Sequence, residues 1–175
     1  MSIYKKFNKD ISVIKVSDRN FTANISENWS IGQTANGGYS MAIIAKACSE
    51  YLNHKDPLVL SANYLERVEF GPADIEIFKI SSSKSTSTAS ITLKQKGIIK
   101  IFATATFTDF SKMKGINEKL REEPIFDSYE DCIQVPYKEG FNPKLDKNLE
   151  KKYCLDSIWW DKPLSLIHIS EPTRR

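Results

Sequence analysis

The segment from Trp29 to Ala47 reads Trp-Ser-Ile-Gly-Gln-Thr-Ala-Asn-Gly-Gly-Tyr-Ser-Met-Ala-Ile-Ile-Ala-Lys-Ala, a glycine pair opening directly into an apolar run. From Tyr39 to Leu52 only Ser40, Lys46, Ser49 and Glu50 are clearly polar. That pattern predicts a helix apolar on nearly every side, one wrapped by other structure rather than striped along one face. Gly37 and Gly38 leave the first backbone N–H groups of this helix open. With the positive end of the helix dipole, such donors favour a partly or fully negative ligand atom, whether a carbonyl oxygen, an oxyanion or a phosphate.

Outward from the helix the chain reads as strands. Ile11 to Val16 and Phe21 to Ile25 alternate weakly around a turn at Asp18-Arg19-Asn20. His54-Lys55-Asp56-Pro57 ends the helix, and Leu58 to Leu65 resumes as an extended run. After the break at Gly71-Pro72, Ala73 to Ile80 sets Ile75, Ile77 and Lys79 against Asp74, Glu76, Phe78 and Ile80. Thr86 to Lys94 is a further strand, Lys96-Gly97 a hairpin turn, and Ile99 to Phe107 has the clearest period of two: Ile99, Ile101, Ala103, Ala105 and Phe107 share one face. Ala103 and Ala105 suit a sheet lying close against a helix. The expected fold is α+β, an antiparallel sheet curled around one central helix.

Composition narrows the function classes. A hydrophobic fraction of 41%, with nine Phe, seven Tyr and three Trp, is enough to build a core. The formal charge of +3 falls by one when Glu171, Arg174 and Arg175 are set aside, and Lys and Glu are interspersed, so nucleic acid is not an expected partner. No apolar run reaches membrane length and the N-terminus has no apolar signal region, which predicts a cytoplasmic protein with no membrane span. Three widely spaced cysteines, Cys48, Cys132 and Cys154, fit no metal-ligand pattern and read as reduced thiols. The glycosylation triplets at Asn20, Asn24 and Asn28 then carry no meaning.

Beyond Phe110 the character changes. Ser111 to Pro143 is charged, proline-interrupted and without period, as a linker is. Asp146 to Asp161 brings Tyr153, Leu155, Ile158, Trp159 and Trp160 together, as the start of a second unit would, with the two tryptophans an exposed apolar hazard if that unit is incomplete. Leu164 to Arg174 matches, codon for codon, the translation of a transposase adapter used in sequencing-library preparation, and is set aside as an artefact.

Several segments in order carry a family resemblance: Trp29 to Ala47, Asp56-Pro57-Leu58 through Tyr64-Leu65, Val68-Glu69-Phe70-Gly71-Pro72-Ala73, Ser85 to Ala89, and Phe102 to Phe107. Together they resemble the N-terminal half of TesB-like (type II) acyl-CoA thioesterases, whose chains hold two hotdog units packed as a pseudo-dimer. The resemblance implies a hotdog domain over residues 7–110, a linker over 111–143, an incomplete start of a second hotdog over 144–163 and the adapter over 164–175. It also implies hydrolysis of fatty acyl-CoA to fatty acid and CoA, and homo-oligomers of double hotdogs.

Thioester hydrolysis needs a donor for the carbonyl oxygen, a group that activates water, and an apolar groove. Asn36, Gly37, Gly38 and Tyr39 are the candidate substrate-binding residues, the last three through their backbone N–H groups. Two readings stand side by side: the glycines admit substrate to the main chain, or they let the chain turn tightly into a buried helix. Asn36 is likewise a helix cap or a polar contact. The family's water-activating Asp, Ser or Thr, and Gln lie in its second hotdog, and no residue here matches them, so no catalytic residue is assigned and the fragment is expected to be inactive. No cofactor or metal is implied. Glu27, Asp56, Glu66 and Glu69 read as solvated surface acids, and His54 as a partner of the helix C-terminal dipole. Ser85, Thr86 and Ser87 fall where hotdog enzymes approach the CoA moiety. The alternative function is a non-catalytic acyl-binding or assembly module; a hotdog hydratase would need an acid–histidine pair at the helix opening, and His54 is the only histidine outside the tail.

Overall fold

The computed structural model describes residues 3–115, 118, 121–123 and 125–154. Residues 155–161 of the expected second-unit strand, Trp159 and Trp160 among them, and the adapter tail lie outside the described residues. In chain order the elements are α1 (Ile3–Asp10), β1 (Val13–Lys15), β2 (Asn20–Ile25), β3 (Ser30–Ile31), β4 (Thr34–Ala35), α2 (Gly37–Tyr51), β5 (Asp56–Tyr64), β6 (Gly71–Ser82), β7 (Ser87–Gln95), β8 (Ile98–Thr108), β9 (Ile133–Gln134) and β10 (Lys152–Tyr153). Six strands form one sheet in the order β1-β2-β6-β7-β8-β5, every neighbouring pair antiparallel.

The inner face of this sheet is written by the alternation of its strands. Phe21, Ile25, Ile75, Ile77, Ile91, Leu93, Ile101 and Phe107 are all buried against Ile43, Ile44 and Cys48 of α2, which touches every strand of the sheet. Ala89 pairs with Ala105, and Ile91 with Ala103, so small side chains let the helix axis approach the strands. The β7–β8 hairpin turns through Lys96 (φ 52°) and Gly97 (φ 79°), the two successive left-handed residues that a tight, strand-matched turn requires.

Three features depart from the sequence reading. First, α2 is not wrapped all round: Tyr39, Ser40, Ile43, Ile44, Ala47 and Cys48 are buried, whereas Met41, Ala42, Ala45, Lys46 and Ser49 are half-buried. A single curved sheet covers one face of a helix, and no second layer closes the other among the described residues. Second, the period of β8 slips at its start. Leu93 pairs with Ile101 but Lys94 with Ile99, so Lys100 is a bulge; it turns inward, 7% exposed, and Ile99 turns out. Third, α1 forms over Ile3–Asp10, ahead of the first expected strand, where the sequence predicts no element. Its Phe7 ring meets Trp29 edge-on at 4.9 Å, and Asp10 at its end accepts hydrogen bonds from Trp29 Nε1 (2.9 Å) and Asn28 Nδ2 (3.2 Å).

Past the sheet, a short turn of 3₁₀ helix at Lys144–Asn148 docks back on the turn around Asn28. Asn148 is buried there, donating to Asn28 O at 2.7 Å and accepting from Lys6 Nζ at 2.6 Å. No helix among the described residues is long and apolar enough to cross a membrane.

Candidate functional site

The N-terminus of α2 is fixed from its own sequence outward. Asn36 has extended dihedrals (φ −60°, ψ 139°) and its Oδ1 accepts from Tyr39 N at 3.2 Å, a side-chain cap. Tyr39 stacks on Trp29 with centroids 5.9 Å apart, and its hydroxyl donates to Asp10 O and accepts from Ser26 N. Burial pushes that phenol up from its ordinary value, so it stays a neutral donor. These contacts clamp the helix opening between α1 and the 26–29 turn.

Of the three N–H groups expected at this opening, that of Tyr39 is therefore engaged by the cap. Those of Gly37 and Gly38 have no hydrogen-bond partner among the described residues. Gly37 also explains itself by packing: a Cβ there would stand 2.9 Å from Tyr64 Oη and 3.0 Å from Cζ, and the same hydroxyl donates to Gly37 O at 2.7 Å. Tyr64 was not among the sequence candidates. It ends the edge strand β5, and only the fold brings it across the glycine.

Gly37 and Tyr64 lie in a groove of about 500 Å³, walled by Thr34 and Ala35 on one side and by Leu65, Glu66, Arg67 and Val68 on the other. The second wall has no regular structure, yet it is held from several directions. Val68 O accepts from Ala35 N and Thr34 Oγ1, and Lys100 O, at the bulge, accepts from Leu65 N and Glu66 N. The Gln95 amide accepts from Glu69 N and donates to Glu69 O, both at 2.9 Å, as a backbone strand would.

The acids singled out in the sequence are each occupied, and Asp56 lies at the far end of β5 from the groove. Glu66 accepts from Lys100 Nζ (2.7 Å), Glu69 from Lys96 Nζ (2.7 Å), Glu27 from Lys144 Nζ (2.8 Å) and Asp56 from Phe110 N (2.8 Å). Lysine partners hold the Glu27 and Glu69 carboxyls below their ordinary value. Arg67 has no ion-pair partner among the described residues, which leaves a free cation at the groove.

The other sequence candidates sit elsewhere. His54 does not serve the helix dipole by hydrogen bonding: its Nδ1 is 2.7 Å from Ser87 Oγ and its Nε2 3.3 Å from Lys84 O. Lys55 takes that role instead, donating to Ser49 O and Leu52 O at the end of α2. Ser87, with Ser85 and Thr86 beside it, thus stands at the C-terminal end of a 15-residue helix, about 22 Å from the glycine pair by helical rise. The fold separates these residues from the groove.

Comparison with known proteins agrees with the architecture. Residues 25–108 match the sequence family described as the acyl-CoA thioesterase N-terminal domain. The thioesterase-like protein TwmA of Talaromyces wortmannii is 27% identical over 96 residues, 53% of this chain and 28% of that protein. A candidate thioesterase II from Thermobifida fusca superposes with TM-score 0.76 at 19% identity, over 90% of this chain and 58% of that one. A conserved protein of unknown function with a hotdog fold, from Alicyclobacillus acidocaldarius, superposes with TM-score 0.71 at 18% identity, over 81% of this chain and 52% of that one. The chain thus spans little more than half the length of the two solved structures, and under a third of the curated relative. Residues 25–108 are thus similar in sequence to the N-terminal domain of acyl-CoA thioesterases, and the chain shares the hotdog fold of its structural neighbours.

Proposed function

We propose that this chain is the N-terminal hotdog of a protein that hydrolyses acyl-CoA thioesters, and that the groove at the α2 opening seats the thioester. The reading is carried by the unengaged N–H group of Gly37 on the groove, with that of Gly38 next to it at the helix opening, in a segment similar to the acyl-CoA thioesterase N-terminal domain. A carbonyl oxygen placed there would meet donors already oriented, and those donors gain strength as the oxygen takes charge in the tetrahedral transition state. Asn36 serves the site by capping Tyr39 and so fixing the two glycines. Arg67 at the groove wall is suited to a phosphate of the CoA moiety.

The water-activating group comes from a second unit in this proposal. Glu66, the acid of the groove wall, is already engaged by the nearly buried Lys100 ammonium at 2.7 Å. That occupancy favours one competing reading, an acyl-binding module without turnover.

Release of CoA from a series of acyl-CoA esters distinguishes the two. The 175-residue chain is expected to stay near the uncatalysed rate, and a version with the downstream reading frame restored is expected to turn over. Turnover by the chain alone at the rate of the restored protein would overturn the division of labour. Binding of a non-hydrolysable acyl-CoA thioether by the restored protein, with no hydrolysis of any ester, would favour the acyl-binding module.

A further inference from the structure

Cys132 and Cys154 are 22 positions apart in the sequence with no motif between them, and the fold sets them face to face. In the β9–β10 ribbon, Gln134 pairs with Lys152 and Ile133 with Tyr153, so one further step places Cys132 opposite Cys154. The bond from Val135 N to Lys151 O marks 135/151 as a hydrogen-bonded pair. By alternation 133/153 is bonded and 132/154 is not, and non-bonded pairs are the closer kind, with side chains brought together on one face.

The two sulfurs stand 3.7 Å apart. Two thiolates on a tetrahedral metal with bonds of about 2.3 Å stand about 3.8 Å apart, whereas a disulfide closes to about 2.05 Å. A third ligand atom completes the group: an Asp127 carboxylate oxygen and the two sulfurs all lie within 4.8 Å of one another. The intervening turn is built to return Asp127 towards the ribbon, with Asp131 N and Cys132 N both donating to Ser128 O, and Ser128 Oγ to the Asp131 carboxylate. Burial, the neighbouring Cys154 thiol and the Asp127 charge push the Cys132 thiol up, against the opposing pull of Lys152. A metal binds thiolates, so its uptake by the pair releases thiol protons.

We propose that Asp127, Cys132 and Cys154 form a binding site for a thiophilic divalent cation of the zinc class. Two sulfurs and one hard oxygen suit a borderline-soft ion, and three protein ligands leave the fourth tetrahedral position to water. Binding exchanges two thiol protons for one divalent ion, with no change of oxidation state. It would staple the chain on either side of the 135–151 loop, whose 3₁₀ turn docks on Asn28.

The test uses the reduced, metal-free 175-residue chain. Zinc is titrated in competition with a chromophoric chelator of micromolar affinity, with proton release followed in parallel, and cadmium is used for its sulfur-to-metal charge-transfer absorbance. One equivalent should bind, more tightly than the chelator, with absorbance for two thiolates. Cys132→Ser and Cys154→Ser should each weaken binding by about 100-fold or more and Asp127→Asn by about 10-fold, while Glu130→Gln leaves it unchanged. Failure to compete with the chelator, or full affinity in Cys132→Ser, overturns the site. So does conversion of the pair to a disulfide by a low-molecular-weight disulfide, read as a loss of two hydrogens in mass, in a protein that takes up no zinc.

Discussion

Gly37 shows how one hydrogen atom can be a packing decision. Its φ is unremarkable, but the Tyr64 ring lies where a Cβ would go. Gly37→Ala should cost about 1 kcal/mol, since the ring is the mobile end of a half-exposed side chain and can swing at the expense of its bond to Gly37 O. In a Tyr64→Ala background the same change should be neutral or stabilising, because alanine is the better helix former. Chemical denaturation of the four proteins of this cycle measures the coupling, and additive effects would refute the contact. Cys48 gives a second residue-scale expectation. Fully buried in α2, its thiol is pushed up to about 12 from an ordinary 9.0. Between those values the folded state keeps a proton that the unfolded chain releases, so stability should fall with rising pH, by up to about 1.4 kcal/mol per unit. Below pH 9 this group contributes no pH dependence. Denaturation midpoints of wild type and Cys48→Ala across pH 8 to 11 should diverge in that sense.

At the scale of elements, α1 is held by few contacts of high quality. The Asp10 carboxylate takes both Trp29 Nε1 and Asn28 Nδ2, and Asp10→Ala should lower stability by about 1–3 kcal/mol by leaving partly buried donors unpaired. A red-shifted tryptophan emission would accompany the loss if Trp29 is released. α1 was legible only in part: Phe7 and Ile11 have helical spacing, but Lys5, Lys6, Asn8 and Lys9 around them read as a polar terminus, and the contact that orders the turn is with Trp29, distant in sequence. β7 and most of β8 were legible because each buries one face, so every second residue had to be apolar. The bulge at Lys100 was not, since it exists only in the pairing of β8 with β7. The groove wall from Leu65 to Glu69 was illegible for a related reason. Its shape is set by Gln95, Lys100 and the β4 backbone rather than by any period of its own. At the α2 opening the helix cap by Asn36 was legible from residue preference, while Tyr64, which packs over Gly37, needed three-dimensional closure to be seen.

On the scale of the whole molecule, the half-buried face of α2 around Ala42 and Ala45 and the edge strand β5, whose Leu58 and Val59 are exposed, stand uncovered among the described residues. An unpaired edge of 9 residues is a template for another strand. The chain should therefore self-associate, and sedimentation velocity over a concentration series should show it. Val59→Lys should shift that equilibrium towards monomer without lowering the unfolding midpoint, the side chain being 58% exposed; a clean monomer at every concentration would refute the association. The bond between Tyr64 and Gly37 gives that edge a further meaning. The last residue of β5 and the first residue of α2 are joined by one phenol, so the rim of the sheet and the mouth of the helix share their slack. Whatever pairs with the rim also stiffens the mouth, and assembly and ligand fit become a single adjustable quantity.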